Sequence, residues 1–506
     1  MATIGEGMQF PAQENGSRST SRTATHIVAA ALHELDPKLG EAALRERRWR
    51  DNYPRHFGAL VRHALPSVER ALASSRAGLK TAWATMHWSD RDGSRPLADA
   101  WGAVRQAPLA TVTLAGRGDA RPRPWQLPYR GRLLAGDDLL RLLDDWQARH
   151  VIEPSAAAAL TRCVRNPGWF DLSDRTVALL GAGAEIGPLA LLAHWRANVL
   201  AVDVARAEVW QRIVGIAHAG NATLHVPLDP ARSRSGDAEL DALGAGTDLL
   251  VEAPRVADWL TGFDRPLDVA SLAYADGERH VRIAMAMDWI VRAVLEADPA
   301  STASWLATPT DVFAMPGATA CASMRAYADR SLLPRALRPV LGIALRSFDP
   351  NVEEIWTAAD GREYALADSI VLQQGPNYAL AKRLQQWRAL EARAAGRRVS
   401  LNIAPATTTA SVTHNPILAA GYAGADRFGI EVFAPETTRA LMAALWVHDL
   451  RCDESAANPA RPLVHPCEMF TDNACHGGLW ACAYLPRTAL PYAAALGWAR
   501  LKARGG

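Results

Sequence analysis

The 506-residue chain has no apolar run approaching 18 residues, so no membrane span is expected. It has little cysteine. Cys163, Cys321, Cys452, Cys467, Cys475 and Cys482 are too sparse for a disulfide scaffold. The C-terminal set Cys452, His465, Cys467, Cys475, His476 and Cys482 contains no Cys-x-x-Cys pair, so buried thiols and satisfied histidines are expected there and no metal site. It also lacks excess charge of either sign. A formal net charge of +2 gives no electrostatic reason for a nucleic acid or an anionic membrane as partner. The run Arg45–Arg50 is basic, but at that length a solvated helix face is expected. The seventeen tryptophans are scattered and make no stacking series for bases. The first residues have no apolar stretch preceded by positive charge, so no secretory signal is expected and the cytoplasm is the expected compartment.

What is present is ordinary globular material, 49% hydrophobic and 21% charged, in more length than one small domain needs. Residues 1–24 are polar and aperiodic and are expected to form a mobile tail. Residues 25–170 show helical spacing, with a short strand at Ala110–Leu114, and are expected to form a mostly helical N-terminal region. From residue 171 to 450 the pattern alternates. Strands are expected at 175–180, 197–202, 223–226 and 248–251, and again at 369–372 and 398–403. Helices are expected at Ile186–Trp195, Glu208–Ala219, His280–Ala297, Tyr378–Ala395 and Pro435–Leu445. This is the rhythm of βαβ units: an α/β fold built on a doubly wound parallel sheet of the Rossmann type. Residues 255–365 break the rhythm and are expected to be an insertion. Residues 451–506 are expected to be a loop-rich extension in which Cys475–Trp480 forms a tight turn.

The segment Gly181-Ala182-Gly183-Ala184-Glu185-Ile186-Gly187 follows the first of these strands and opens the Ile186–Trp195 helix. Gly181 permits a sharp turn, Gly183 lets backbone approach a diphosphate, and Gly187 lets helix and strand pack closely. The helix start would offer amide N–H groups to phosphate. Asp203 lies 22 residues after Gly181 at the end of the next strand, where a carboxylate can accept from ribose hydroxyls. It disfavours a 2′-phosphate, so NAD is favoured over NADP. Arg206, close by, works against that preference. A glycine loop and an acid in these places also suit an S-adenosylmethionine-dependent methyltransferase.

Tyr378 and Lys382 stand one helical turn apart. A neighbouring ammonium would stabilise the phenolate and bring its pKa down from about 10 towards working pH. With the glycine loop upstream, this pair resembles that of the short-chain dehydrogenase/reductase superfamily. Gly181, Gly183 and Gly187 match that family's cofactor loop, and Tyr378 and Lys382 its catalytic pair. Leu401–Pro405 is similar to the strand and proline after the catalytic helix. The resemblance covers residues 174–450 and implies an NAD(P)-dependent oxidoreductase acting on a carbonyl or alcohol. It implies that Thr407 and Thr408 (with Thr409 beside them) contact the nicotinamide end and that Asp229 contacts the adenine.

The chain departs from the family in several places. Where the family has a carbonyl-polarising serine, position 365 is Ala; Ser369, with Gln374 behind it, is the expected substitute. The fourth strand ends in Val251-Glu252-Ala253-Pro254, and Ala406 replaces a glycine. The substrate is expected to be a small molecule, with the apolar helix after His280 either core or the wall of a hydrophobic pocket. A dinucleotide-binding protein without turnover is a third reading, and the sequence leaves open whether copies pair as a homo-oligomer.

Overall fold

The computed structural model describes residues 5–231, 236–329, 348–358 and 361–505. Seven strands form the central sheet. In chain order they are β1 (Ala110–Ala115), β2 (Thr176–Leu180), β3 (Asn198–Val202), β4 (Thr223–Leu228), β5 (Asp268–Ser271), β6 (Thr302–Ala307) and β7 (Val399–Ile403). Across the sheet they lie β7-β6-β5-β2-β3-β4-β1. Only β1 is antiparallel, pairing with β4 at the edge. The six parallel strands therefore run in the order of a doubly wound sheet, reversing direction between β2 and β5.

The sequence of β2, Thr-Val-Ala-Leu-Leu, is buried at every position, as a strand covered on both faces must be. Its side chains alternate between two cores. Ala178 and Leu180 join the core of the helices Leu249–Thr261, Glu278–Ala297 and Pro376–Ala394. Val177 and Leu179 join the core of Pro154–Arg165 and Pro435–Arg451.

Several expected elements are corrected. The stretch 248–251 is not a strand: it opens the helix Leu249–Thr261, capped by Asp248, whose side chain accepts from Leu250 N. The true fourth and fifth parallel strands are β5 and β6, inside the expected insertion 255–365. What interrupts the sheet is the segment between β6 and the helix Pro376–Ala394. It carries a small antiparallel sheet of Val312–Pro316, Ile355–Thr357 and Glu363–Asp368. Residues 330–347 and 359–360 of that expected insertion lie outside the described residues. The stretch 369–372 is likewise not a strand. The expected tail 1–24 is ordered from residue 5: Gly7–Gln9 pairs with His87–Asp90, and burial of Met8 and Phe10 holds it; residues 1–4 lie outside the described residues. The N-terminal region is not a separate layer, since β1 belongs to the central sheet and Trp83 donates to Asp288 on the helix Glu278–Ala297. The extension 451–506 ends in a long helix, Pro486–Gly505. No described helix is long and apolar enough to cross a membrane.

Candidate functional site

At the end of β2 the chain turns through Gly181, whose φ is +93°. A Cβ there would lie 2.6 Å from the amide nitrogen of Ala273, just past β5, so the loop is pressed against the reversal point of the sheet. The helix expected at Ile186–Trp195 is only one turn, Leu189–Leu192. Two tight turns precede it, Ala184 N to Gly181 O and Gly187 N to Ala184 O, and Pro188 has no N–H to extend them. The chain leaves it through bonds of His194 to Leu191 and Trp195 to Leu192. A turn this short supplies no helix dipole to a phosphate.

The loop also uses most of its own donors. Gly181 and Ala182 N–H reach Val202 O at 2.8 and 3.0 Å, and Gly183 N–H reaches Asp203 Oδ2 at 2.7 Å. Among the described residues the amides of Glu185 and Ile186 have no partner. Asp203 Oδ1 accepts from Val204 N at 2.8 Å, so both carboxylate oxygens already hold backbone. The loop is pinned from outside by Arg212 Nη2 on Gly183 O at 2.7 Å and Arg439 Nε on Glu185 O at 3.0 Å. Glu185 Oε2 accepts from Ala410 N at 2.8 Å.

Above the reversal point lies a cleft of about 2160 Å³. Gly181, Gly183, Glu185, Ile186, Asp203, Arg206 and Arg212 are among the residues that line it. Tyr274, His280, Thr308, Gln374, Tyr378, Lys382, Thr407 and Thr409 line it as well. The cleft thus joins the glycine loop and the Tyr–Lys pair, which lie 197 residues apart in sequence.

Four of the expected residues are not in its wall. Gly187 packs against Ala184 behind the loop. Asp229 bonds Arg255 Nη1 at 3.2 Å, beyond the end of β4. Thr408 turns its N–H and hydroxyl to Phe433 O at 3.0 and 3.3 Å. Ser369 is fully buried behind the cleft, its N–H donating to Asp311 O at 3.0 Å. A polar residue that does line the cleft is Thr308, the first residue after β6. Its hydroxyl is 2.9 Å from that of Thr310, and it lines the cleft together with Tyr378. The signal that could have found it is the sequence after the strong helix 278–297: a six-residue strand followed by Thr-Pro-Thr.

The helix Pro376–Ala394 is anchored by the fully buried Asp311. This carboxylate receives Gln386 Nε2 at 2.7 Å, Arg383 Nη2 at 3.2 Å and Val312 N at 2.7 Å. Those bonds fix Tyr378 and Lys382 over the 308–312 loop.

The expected effect of Lys382 on Tyr378 is also corrected. Burial pushes the Tyr378 phenol up to about 12. The Thr308 hydrogen bond pulls it down, and the Asp311 charge pushes it up. Lys382 Nζ donates to Leu306 O at 3.0 Å and sits over the Tyr378 ring, 5.9 Å from its centroid. Burial brings Lys382 down to about 8 against the opposing pull of Asp311. His280 stacks on Tyr378, centroids 5.3 Å apart and planes 10° apart. Burial, then the Lys382 charge, lowers it to about 3, so its ring is neutral. Among the described residues, the buried Thr247 Oγ1, Ser271 Oγ and His280 Nε2 of the cleft lining have no partner. Buried polar groups left unsatisfied are costly, and a ligand's polar groups would satisfy them.

Elsewhere His476 is buried against Glu153 at 3.0 Å and stacks on Trp480, so the Cys475–Trp480 turn serves packing. Among the described residues no three His, Cys, Asp or Glu side chains gather as a metal site. No protein-family model matches the chain, and comparison with curated proteins finds no similar one.

Proposed function

We propose that the cleft binds a nicotinamide dinucleotide and that the protein is an NAD(P)-dependent oxidoreductase acting on a carbonyl or alcohol. The observation that carries this reading is one cleft, at the reversal point of a doubly wound sheet, lined by a glycine loop and Asp203 and by Tyr378, Lys382 and Thr308. The order of the elements supports the resemblance to short-chain dehydrogenases/reductases more closely than the sequence alone does. The Tyr–Lys helix lies between the fifth and sixth parallel strands, and Thr308 stands directly after the fifth.

The residues present fit such a cofactor. The unpartnered Thr247 and Ser271 hydroxyls and the free amides of Glu185 and Ile186 suit the sugar and phosphate portion. Lys382 and Thr407 would hold the nicotinamide end. When bound, the nicotinamide exchanges a hydride with the substrate carbon. The protein's part is the proton. Thr308 and Tyr378 hold the carbonyl oxygen, and Tyr378, kept protonated by its high pKa, donates to that oxygen as it gains charge. Lys382 supplies positive charge beside the phenol. In the reverse direction Tyr378 takes the proton back.

Two outcomes follow. In carbonyl reduction, kcat/KM should fall as pH rises through about 8, where Lys382 loses its proton, and Tyr378, near 12, should not titrate in that range. A profile flat to pH 10 would contradict this. Stability runs the other way. The folded chain releases the Lys382 proton near 8 and the unfolded chain near 10.5, so stability should rise with pH between those values. Second, NADH should bind more tightly than NADPH, because Asp203 stands at the ribose. Asp203→Ser should narrow the ratio by about tenfold or more, since Arg206 and Arg212 remain to meet a 2′-phosphate. Fluorescence titration of both cofactors against both proteins checks it.

One observation favours a different ligand. Most amides of the glycine loop are satisfied internally, and S-adenosylmethionine, which has no diphosphate, would not need them. That reading gives Tyr378 and Lys382 no role in proton transfer.

A further inference from the structure

Next to the Tyr378 part of the cleft is a second chamber of about 60 Å³, between the helices Pro416–Gly424 and Pro486–Gly505. The two spaces share Ala406, Leu418 and Tyr422 as walls. Thr310, bonded to the Thr308 hydroxyl, stands at the chamber's rim, so it adjoins the place where a carbonyl would sit. Its lining is otherwise almost wholly aliphatic and aromatic, with Ala425, Leu490 and Phe428 prominent.

The chamber's walls are close-packed. A Cβ on Gly424 would lie 2.1 Å from Ala493 O, and one on Gly497 1.8 Å from Ala420 O. The two helices touch backbone to backbone through these glycines, and the space between them does not depend on a mobile loop. An apolar void of this kind stays dry and accepts apolar guests. At roughly 10–15 Å³ per water-sized group, it has room for a short hydrocarbon group of about four carbons.

The geometry points to this chamber as the site for the apolar arm of the substrate, making the preferred substrates ketones or aldehydes with one short aliphatic substituent. The inference rests on the oxidoreductase reading above. The carbonyl lies at Thr308 and Tyr378, and the arm passes Leu418 and Tyr422 into the chamber.

The test is kcat/KM across methyl n-alkyl ketones of increasing length, with wild type, Ala425→Phe and Leu490→Ala, each checked for a cooperative melt. For wild type, kcat/KM should rise about fourfold per methylene and level off when the chamber is full. Ala425→Phe should move that limit to shorter chains and Leu490→Ala to longer ones. Thermal shift by the same ketones at saturating NADH gives a readout independent of turnover. Turnover that is flat with chain length, or a limit unchanged in both variants, overturns the chamber assignment and leaves the oxidoreductase reading standing. Failure to bind NADH and NADPH overturns both.

Discussion

Tyr378→Phe should lower turnover by about 10²–10⁴-fold with little change in cofactor affinity, because it removes one proton donor and leaves the ring in place. The ring is what stacks on His280 and lies beneath Lys382, and Phe keeps both contacts. Two companion variants separate the candidate carbonyl-polarising groups. Thr308→Val should also lose turnover, since its hydroxyl lines the cleft together with Tyr378 and would hold the carbonyl oxygen there. Ser369→Ala should not, since Ser369 is buried outside the cleft wall. Steady-state rates on a responsive carbonyl, with NADH affinity measured beside them, decide the point. Full turnover in Tyr378→Phe would remove Tyr378 from the chemistry.

Asp311→Ala should cost about 3–5 kcal/mol of stability, the usual penalty for breaking a buried ion pair from one side. Asp311 and Arg383 are both almost fully buried, and Arg383 would keep its charge with only Val312 O, at 3.2 Å, to receive it. Gln386 would lose its bond as well. The double variant Asp311→Ala/Arg383→Met should recover part of the loss, because it removes the stranded charge. Denaturant unfolding of the three proteins tests this. Because Asp311 ties the Tyr378 helix to the 308–312 loop, activity in Asp311→Ala should fall by more than the folded fraction accounts for.

The first three parallel strands were legible because Val, Leu and Ala make up most of the first two, Leu224, Val226 and Leu228 alternate along the third, and glycine or aspartate follows each. The Tyr378 helix was legible from its spacing, and its place in the cleft followed. The fourth and fifth strands were hidden by polar residues. Asp268 opens β5, where Arg175 neutralises it at 2.9 Å, and Thr302 and Ser304 lie within β6. With those strands unseen, Leu249-Leu250-Val251 passed for a strand, although the Asp248 cap starts a helix there. The same error drew attention to Ser369, which does not line the cleft, and away from Thr308, which does. The short turn after the glycine loop was missed because Gly187-Pro188 resembles a helix start. Tertiary contacts, with Asp203 taking the Gly183 amide, settle the loop's shape, and they involve residues far apart in sequence. The direction of the Tyr378 shift was missed for a related reason. Spacing puts Lys382 one turn away but does not reveal that Leu306 O takes its ammonium.

The most direct measurement is a titration of the purified protein with NADH, NADPH and S-adenosylmethionine, followed by nicotinamide fluorescence and thermal shift. The account predicts saturable NADH binding, weaker NADPH binding, and a rise in melting temperature with each that S-adenosylmethionine does not produce. Stabilisation by S-adenosylmethionine with no response to either nicotinamide would contradict it.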